Sequence, residues 1–195
     1  MNLMITKACI EEVNHFVELV LMSGRKFFET LFGDQTRGVL AELYLEKENL
    51  LSHECCMFAK INDCVAGMVL AYPSTYAARF RLRTGALLIK KVGILGILQL
   101  LKVNEVIGKH ERGEFYISNL AVYQEFRRRG LAQELLCCCF ESAKRALCVK
   151  VTLDVEEENE AAIKLYTKMG FQVEKRSMLR LGGNVFRFMR MSKKI

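Results

Sequence analysis

The sequence predicts an α/β (α+β) fold: one mixed sheet flanked by helices, a single unit of chain. Three observations predict it. Strand-like runs recur along the whole 195 residues. The second half reads strand, helix, strand, helix, strand, strand, an order that needs crossover helices. Hydrophobic residues make up 51% and charged residues 26%, the proportions of a globular chain with one core to bury, and no composition shift marks a second domain.

The elements follow in order. Asn2 to Thr6 reads as a first strand. Ile10, Val13, Phe16, Val17, Val20 and Leu21 recur at helical spacing, and a second helical stretch runs from Thr36 to Leu51. Cys56–Lys60 and Val65–Tyr72 read as a hairpin around the turn-prone Ile61-Asn62-Asp63. One or two helices are expected between Ser74 and Asn104, with Gly85, Gly93 and Gly96 as weak points. Glu114–Val122 is the next strand. Leu131–Leu147 is a strong helix, Val149–Val155 a strand, and Asn159–Lys168 a short helix. Phe171–Leu181 and Val185–Met191 form a closing hairpin over Gly182-Gly183-Asn184.

The formal net charge is +7, which favours an anionic partner such as a phosphate-bearing cofactor. Tryptophan is absent and no nucleic-acid motif stands out, so no nucleic-acid partner is expected. The eight cysteines include the runs Cys55-Cys56 and Cys137-Cys138-Cys139, which neither pair as staples nor show zinc spacing. They read as reduced thiols of a cytoplasmic protein. The N-terminus lacks the apolar core of a signal peptide, and Leu87–Leu101 is interrupted by Lys90, Lys91 and Gln99. His15, His53 and His110 are scattered and read as structural or exposed, so no metal site is expected.

The most informative run is Leu120-Ala121-Val122-Tyr123-Gln124-Glu125-Phe126-Arg127-Arg128-Arg129-Gly130-Leu131-Ala132. A strand ends, an arginine-rich loop follows, and Gly130 opens a long helix. A helix N-terminus presents unpaired N–H groups and a positive dipole end. Small residues let a phosphate approach that backbone, and arginines beside it add charge-assisted hydrogen bonds. A solvated basic loop before an ordinary helix is the plainer alternative. The run lacks the ending of a Walker A loop and the glycine spacing of a dinucleotide fingerprint. A second run spans Leu153 to Phe171, with Asn159 as an N-cap, Gly170 as a helix stop, and Ala162, Ile163, Tyr166 and Met169 along one stripe.

Arg127-x-x-Gly130-x-Ala132 resembles the pyrophosphate loop of the GNAT N-acetyltransferases. Asn159, Ala162, Leu165, Tyr166, Gly170 and Phe171 match that family's second signature. The resemblance implies a mostly antiparallel sheet of about seven strands and acetyl-CoA as cosubstrate. It implies that Leu120, Ala121 and Val122 lie beside pantetheine, and that Arg127, Arg128, Arg129, Gly130, Leu131 and Ala132 cradle the pyrophosphate. It further implies that Asn159 contacts the cofactor and that Tyr166 protonates the departing thiolate. Glu114, at the start of the strand leading to Leu120, holds a place similar to that of the base in ribosomal-protein alanine N-acetyltransferases. With a period of two, Glu114, Tyr116, Ser118, Leu120 and Val122 share a face unless a bulge intervenes.

Amine acetylation needs a held thioester, a deprotonated amine, oxyanion donors and an acid for the thiolate. The expected function is direct transfer of acetyl to a primary amine of a small molecule or protein in a ternary complex, with no cysteine nucleophile. The alternative is a non-catalytic acyl-CoA-binding module of the same fold. The acidic run Glu156–Glu158 with Glu160 reads as solvated charge at a helix start, or as an attractor of a cationic acceptor. Residues 74–110 form a basic helical insert that reads as a lid or cap over the acceptor site. Contact of 74–104 with anionic lipid is the lesser reading of the same basic pattern. Members of the family often dimerise, so a homodimer is a further expectation.

Overall fold

The computed structural model describes residues 2–108 and 110–195, apart from the side chains of 91–101, 104 and 105. The side chains of Lys91 and Gln99, which with Lys90 interrupt the apolar run Leu87–Leu101, lie outside the described residues. Seven strands form one sheet in the order β1-β2-β3-β4-β5-β7-β6. They are β1 (Leu3–Lys7), β2 (Cys56–Ile61), β3 (Cys64–Pro73), β4 (Glu114–Val122), β5 (Lys150–Glu156), β6 (Gln172–Leu181) and β7 (Asn184–Lys194). Only β4 and β5 are parallel, so the sheet is mixed and mostly antiparallel. Five helices flank it: α1 (Val13–Phe32), α2 (Thr36–Leu45), α3 (Ser74–Val106), α4 (Leu131–Arg145) and α5 (Glu160–Lys168). No described helix is long and apolar enough to cross a membrane.

The turns follow their residues. Asn62 and Asp63 both take positive φ, at 47° and 64°, which matches the twist of the β2–β3 hairpin. Helix α2 stops at Leu45, six residues short of the helical pattern. Asn49 is fully buried there, and its Nδ2 donates to Leu43 O at 2.8 Å and Glu46 O at 2.7 Å, which satisfies the last carbonyls. Residues 74–106 make one helix and not two.

Each face of the sheet has its own core. Phe16, Leu19, Leu21, Leu40, Tyr44, Tyr116, Ala121 and Phe188 fill the face under α1, α2 and α3. Phe115, Ile117, Val122, Leu135, Leu136, Val151 and Tyr166 fill the face under α4 and α5. These lists correct the alternation expected along β4. Leu70 pairs with Asn119 but Ala71 pairs with Ile117, so Ser118 is an extra residue in the strand. The bulge moves Leu120 and Val122 to the face of Phe115 and Ile117, and leaves Tyr116 with Ala121 on the other.

Candidate active site: a groove between parting strands

The bulge also opens the sheet. Pairing between β4 and β5 covers Glu114–Ile117 against Lys150–Leu153 and then ends, although both strands continue. Tyr123 N–H donates to Ala66 O on the β3 side at 2.9 Å. Alternation therefore turns the N–H and C=O groups of Leu120 and Val122 away from β3, toward the gap. Helix α1 lies over this gap. It leaves helical geometry at Gly24 (φ −169°, ψ 48°), and Asn119 Nδ2 donates to Ser23 Oγ at 2.8 Å beside that bend.

At one end the gap widens to a cavity of about 550 Å³, lined by Leu120, Val122, Arg127, Arg128 and the first turn of α4. Arg127 Nε donates to Val122 O at 3.1 Å, which folds the loop back on the strand. Arg128 (φ 60°) and Gly130 (φ 82°) are both left-handed. Such alternation makes successive N–H groups converge into an anion nest. Backbone N–H groups from Arg128 to Ala132 find no partner among the described residues; the first helical bonds are donated by Gln133 and Glu134 to Gly130 O. Arg129 is turned aside: its guanidinium lies 5.6 Å from the centre of the Phe126 ring, and it is not in the lining. Gln133 is in the lining and escaped sequence reasoning, because only its place one residue beyond Ala132 marks it.

The middle of the groove is a cavity of about 520 Å³ that touches Ser23, Leu120, Asp154, Glu156, Asn159 and Tyr166. Asn159 Oδ1 caps α5 by accepting from Ala162 N at 3.1 Å. Its amide nitrogen has no partner among the described residues. Tyr166 is 7% exposed, and its ring packs 5.7 Å from that of Phe171. Burial pushes the Tyr166 hydroxyl well above the ordinary tyrosine range, so it stays protonated at neutral pH. Of the acidic run, Glu156 lines the groove, and burial with the Glu158 charge raises its pKa. Glu157 pairs with Arg176 at 2.7 Å and Glu160 with Lys164 at 3.3 Å, away from it.

The structure does not bring Glu114 to the groove. Its side chain is 1% exposed, with Oε1 2.8 Å from Lys150 Nζ and Oε2 2.7 Å from Arg190 Nη2. Arg190 then reaches the groove-lining Asp154, Nη1 to Oδ2 at 3.4 Å. Asp154 Oδ2 also accepts from Tyr116 Oη at 3.0 Å and Gly108 N at 3.1 Å. Burial raises the Asp154 pKa despite these donors. Sequence reasoning missed Asp154 because its partners lie 38 and 36 residues away in the chain.

Beyond Tyr116 and Ser118 the groove continues into a third cavity of about 290 Å³ between α1 and α3. His110 lines it, where the sequence offered no role for that residue. Among the described residues no cysteine lines any of the three cavities. Cys139 is fully buried, and burial pushes the Cys55 thiol up to about 12.

Residues 25–171 match the family model for the acetyltransferase (GNAT) family. The chain belongs to the GNAT acetyltransferase family. Among curated GNAT relatives, N-alpha-acetyltransferase MAK3 of Arabidopsis thaliana is 38% identical over 61 residues, 31% of this chain and 32% of that protein. N-alpha-acetyltransferase 30 of Saccharomyces cerevisiae is 39% identical over 56 residues, 29% of this chain and 32% of that protein. The chain thus matches about a third of the length of these relatives. Among solved structures, an N-acetyltransferase from Staphylococcus aureus Mu50 aligns with TM-score 0.69 and 21% identity, over 97% of this chain and 100% of that one. The PaiA N-acetyltransferase of Thermoplasma acidophilum in complex with coenzyme A aligns with TM-score 0.60 and 16% identity, over 100% of both. At such identity the likeness speaks for the fold.

The GNAT fold binds acetyl-CoA, and the residues at the first cavity suit it. Unpaired N–H groups, two left-handed residues and the small Ala132 make a cradle for a doubly charged pyrophosphate. An arginine side chain, Arg128, stands at its rim.

Proposed function

We propose that this chain is an acetyl-CoA-dependent N-acetyltransferase that passes the acetyl group directly to a primary amine, with both substrates bound at once. The observation that carries the reading is the continuity of the groove. The first and second cavities share Met22, Ser23, Leu120, Asn159, Ala162 and Leu165. The second and third share Phe27, Phe28, Ile107, Tyr116 and Ser118. A cofactor entering at the phosphate cradle and an acceptor entering from the α1–α3 side therefore meet near Leu120 and Tyr166. The lack of a groove-lining cysteine among the described residues fits transfer without an acyl-enzyme.

Each residue then has a task. The N–H groups of Arg128 to Ala132 hold the pyrophosphate, with Arg127 fixing the loop and Arg129 contributing backbone alone. The open edge of Leu120 to Val122 holds pantetheine, and the Leu120 N–H polarises the thioester carbonyl. Asn159 contacts the cofactor through its amide nitrogen. Tyr166 gives its proton to the departing thiolate. An alkyl amine has a pKa of about 10 and arrives protonated, so a base must take its proton, directly or through water. Asp154 lines the groove and takes this role in place of Glu114. Glu114 is a positioning residue: at 2.7 Å it holds Arg190 more closely than Asp154 does at 3.4 Å, which keeps Asp154 basic.

The whole of 1–195 serves as one GNAT domain in this reading, and α3 is the lid of its acceptor end. The lid is docked by Arg79 on Glu48 at 3.3 Å, by Arg83 on Glu46 and Glu48 at 3.6 Å, and by Leu50 N on Thr84 Oγ1 at 3.0 Å. Those contacts account for two of the insert's arginines without a lipid surface.

Coupled measurement of thiol release and acceptor mass over an amine panel tests the proposal. Tyr166→Phe should lower turnover by about 100-fold while leaving acetyl-CoA affinity unchanged. Acetyl-CoA binding with no amine consumed would instead support the non-catalytic acyl-CoA-binding module.

A further inference from the structure

The third cavity is walled by Phe27, Phe28, Leu31, Leu50, Leu88 and Ile107. At about 290 Å³ it lies at the low end of ligand pockets, ~300–1,000 Å³. Its described lining contains no aspartate or glutamate. Two polar side chains define its charge. Arg81 lines the cavity and is exposed, and it has no ion pair among the described residues, whereas its neighbours Arg79 and Arg83 are engaged by Glu46 and Glu48. The His110 ring stands edge-on to Tyr72 and Tyr116, and its Nδ1 is buried without a hydrogen-bond partner. Burial, then the Arg190 charge, lower its pKa to about 4, so the ring is neutral at pH 7.

The junction with the middle cavity differs. Asp154 and Glu156 line that cavity together with Lys26 and with Arg25, which is paired with Glu29. Carboxylates thus stand where an amine would react, while an arginine with no carboxylate beside it stands at the far end of an apolar chamber. A second ammonium group placed in that chamber would lose its water among apolar walls and meet Arg81 without a counter-charge.

We propose that the acceptor is a primary amine bearing a bulky apolar group that is not itself cationic, that this group fills the α1–α3 cavity, and that polycationic amines are rejected. The proposal rests on the N-acetyltransferase reading above. In the transfer, the amine nitrogen bonds to the thioester carbonyl carbon as the carbon–sulfur bond breaks. The ammonium proton first goes to Asp154 and from there to solvent. As the carbon–sulfur bond breaks the sulfur takes the Tyr166 proton, the second proton of the nitrogen restores Tyr166 through solvent, and the products are a neutral amide, free CoA and one released proton. Two sources offer this chemistry, a small arylalkylamine and a peptide with an apolar first residue.

The test is kcat/KM with acetyl-CoA for phenethylamine, for a peptide beginning with Phe, and for spermidine, in the unmodified chain, Ala77→Phe and Arg81→Glu. Ala77 is 3% exposed and lines only the third cavity. An apolar amine should exceed spermidine by at least about tenfold, and Ala77→Phe should lower its kcat/KM by about tenfold or more with acetyl-CoA affinity unchanged. Arg81→Glu should narrow the gap to spermidine, and this arm stands if Ala77→Phe does not fold. Success with either the arylalkylamine or the peptide supports the proposal, and their relative rates identify the source. Spermidine equal to or better than both, or unchanged selectivity in a folded Arg81→Glu, would overturn it while leaving the transferase reading intact. Acetyl-CoA binding with no amine consumed would overturn the transferase reading and this one with it.

Discussion

At the Arg128–Ala132 end of the groove the unpaired N–H groups come from one short run of chain, set among side chains of α1, β4 and α5. At the Phe27–Leu88 end the wall is side chains, drawn from α1, the α2–β2 connection, α3 and β4. A pyrophosphate is the same in every acetyl-CoA, so peptide N–H groups at a helix start suffice to hold it. In the proposed reading the other end takes the acceptor, which differs from enzyme to enzyme, and that cavity is shaped by residues whose sequence positions are unrelated. The difference explains why one end of the molecule is written as a motif and the other is not.

The largest effect should come from the buried charge network behind the middle of the groove. Arg190 joins buried Glu114 to Asp154, and Arg190→Met leaves Asp154 without a cation and Glu114 with Lys150 alone. We expect a loss of about 3–5 kcal/mol in urea denaturation. A loss near zero would mean that the strand junction does not depend on this network. Next is the cradle. Gly130 takes φ 82°, so Gly130→Val should cost about 1–2 kcal/mol of stability and also weaken acetyl-CoA binding. Weakened stability with normal binding would show that the N–H groups there are not the site. Asn159→Ala removes the cap on α5 and should cost about 1 kcal/mol, while Asn159→Asp keeps the cap. A normal acetyl-CoA affinity in both would confine Asn159 to a structural role.

The smallest expected effect sharpens the acceptor end. The His110 pKa falls from an ordinary 6.5 to about 4 in the folded chain. Between those values the unfolded chain holds a proton that the folded chain lacks. This contribution to stability is therefore complete above pH 6.5, declines as pH falls, and is lost through about pH 4. His110→Phe should flatten the fall in melting temperature over that window. An unchanged slope would place His110 in contact with water and open the cavity that appears apolar.

How much the sequence told follows the same division. Strand β4 was legible at its observed bounds, as were the N-cap at Asn159, the stop at Gly170 and the turn at Asn62-Asp63, because each depends on neighbours a few residues away. The bulge at Ser118 was not legible, since an extra residue shows only against the partner strand β3. Without it the face of Leu120 and Val122 came out reversed. Glu114 looked available because Lys150 and Arg190, which seal it, lie 36 and 76 residues on. Arg129 looked equal to Arg128 until Phe126 was seen to hold it. Arg79, Arg81 and Arg83 read as one basic pattern, yet the acidic residues of 46–48 engage two of them and leave the third at the cavity.

Amide hydrogen exchange with and without acetyl-CoA tests the central claim most directly. If the parting strands hold the cofactor, exchange should slow at the amides of Arg128–Ala132 and at those of Leu120 and Val122, which have no partner among the described residues. Slowing elsewhere with those amides unchanged would contradict the assignment of this groove to acetyl-CoA.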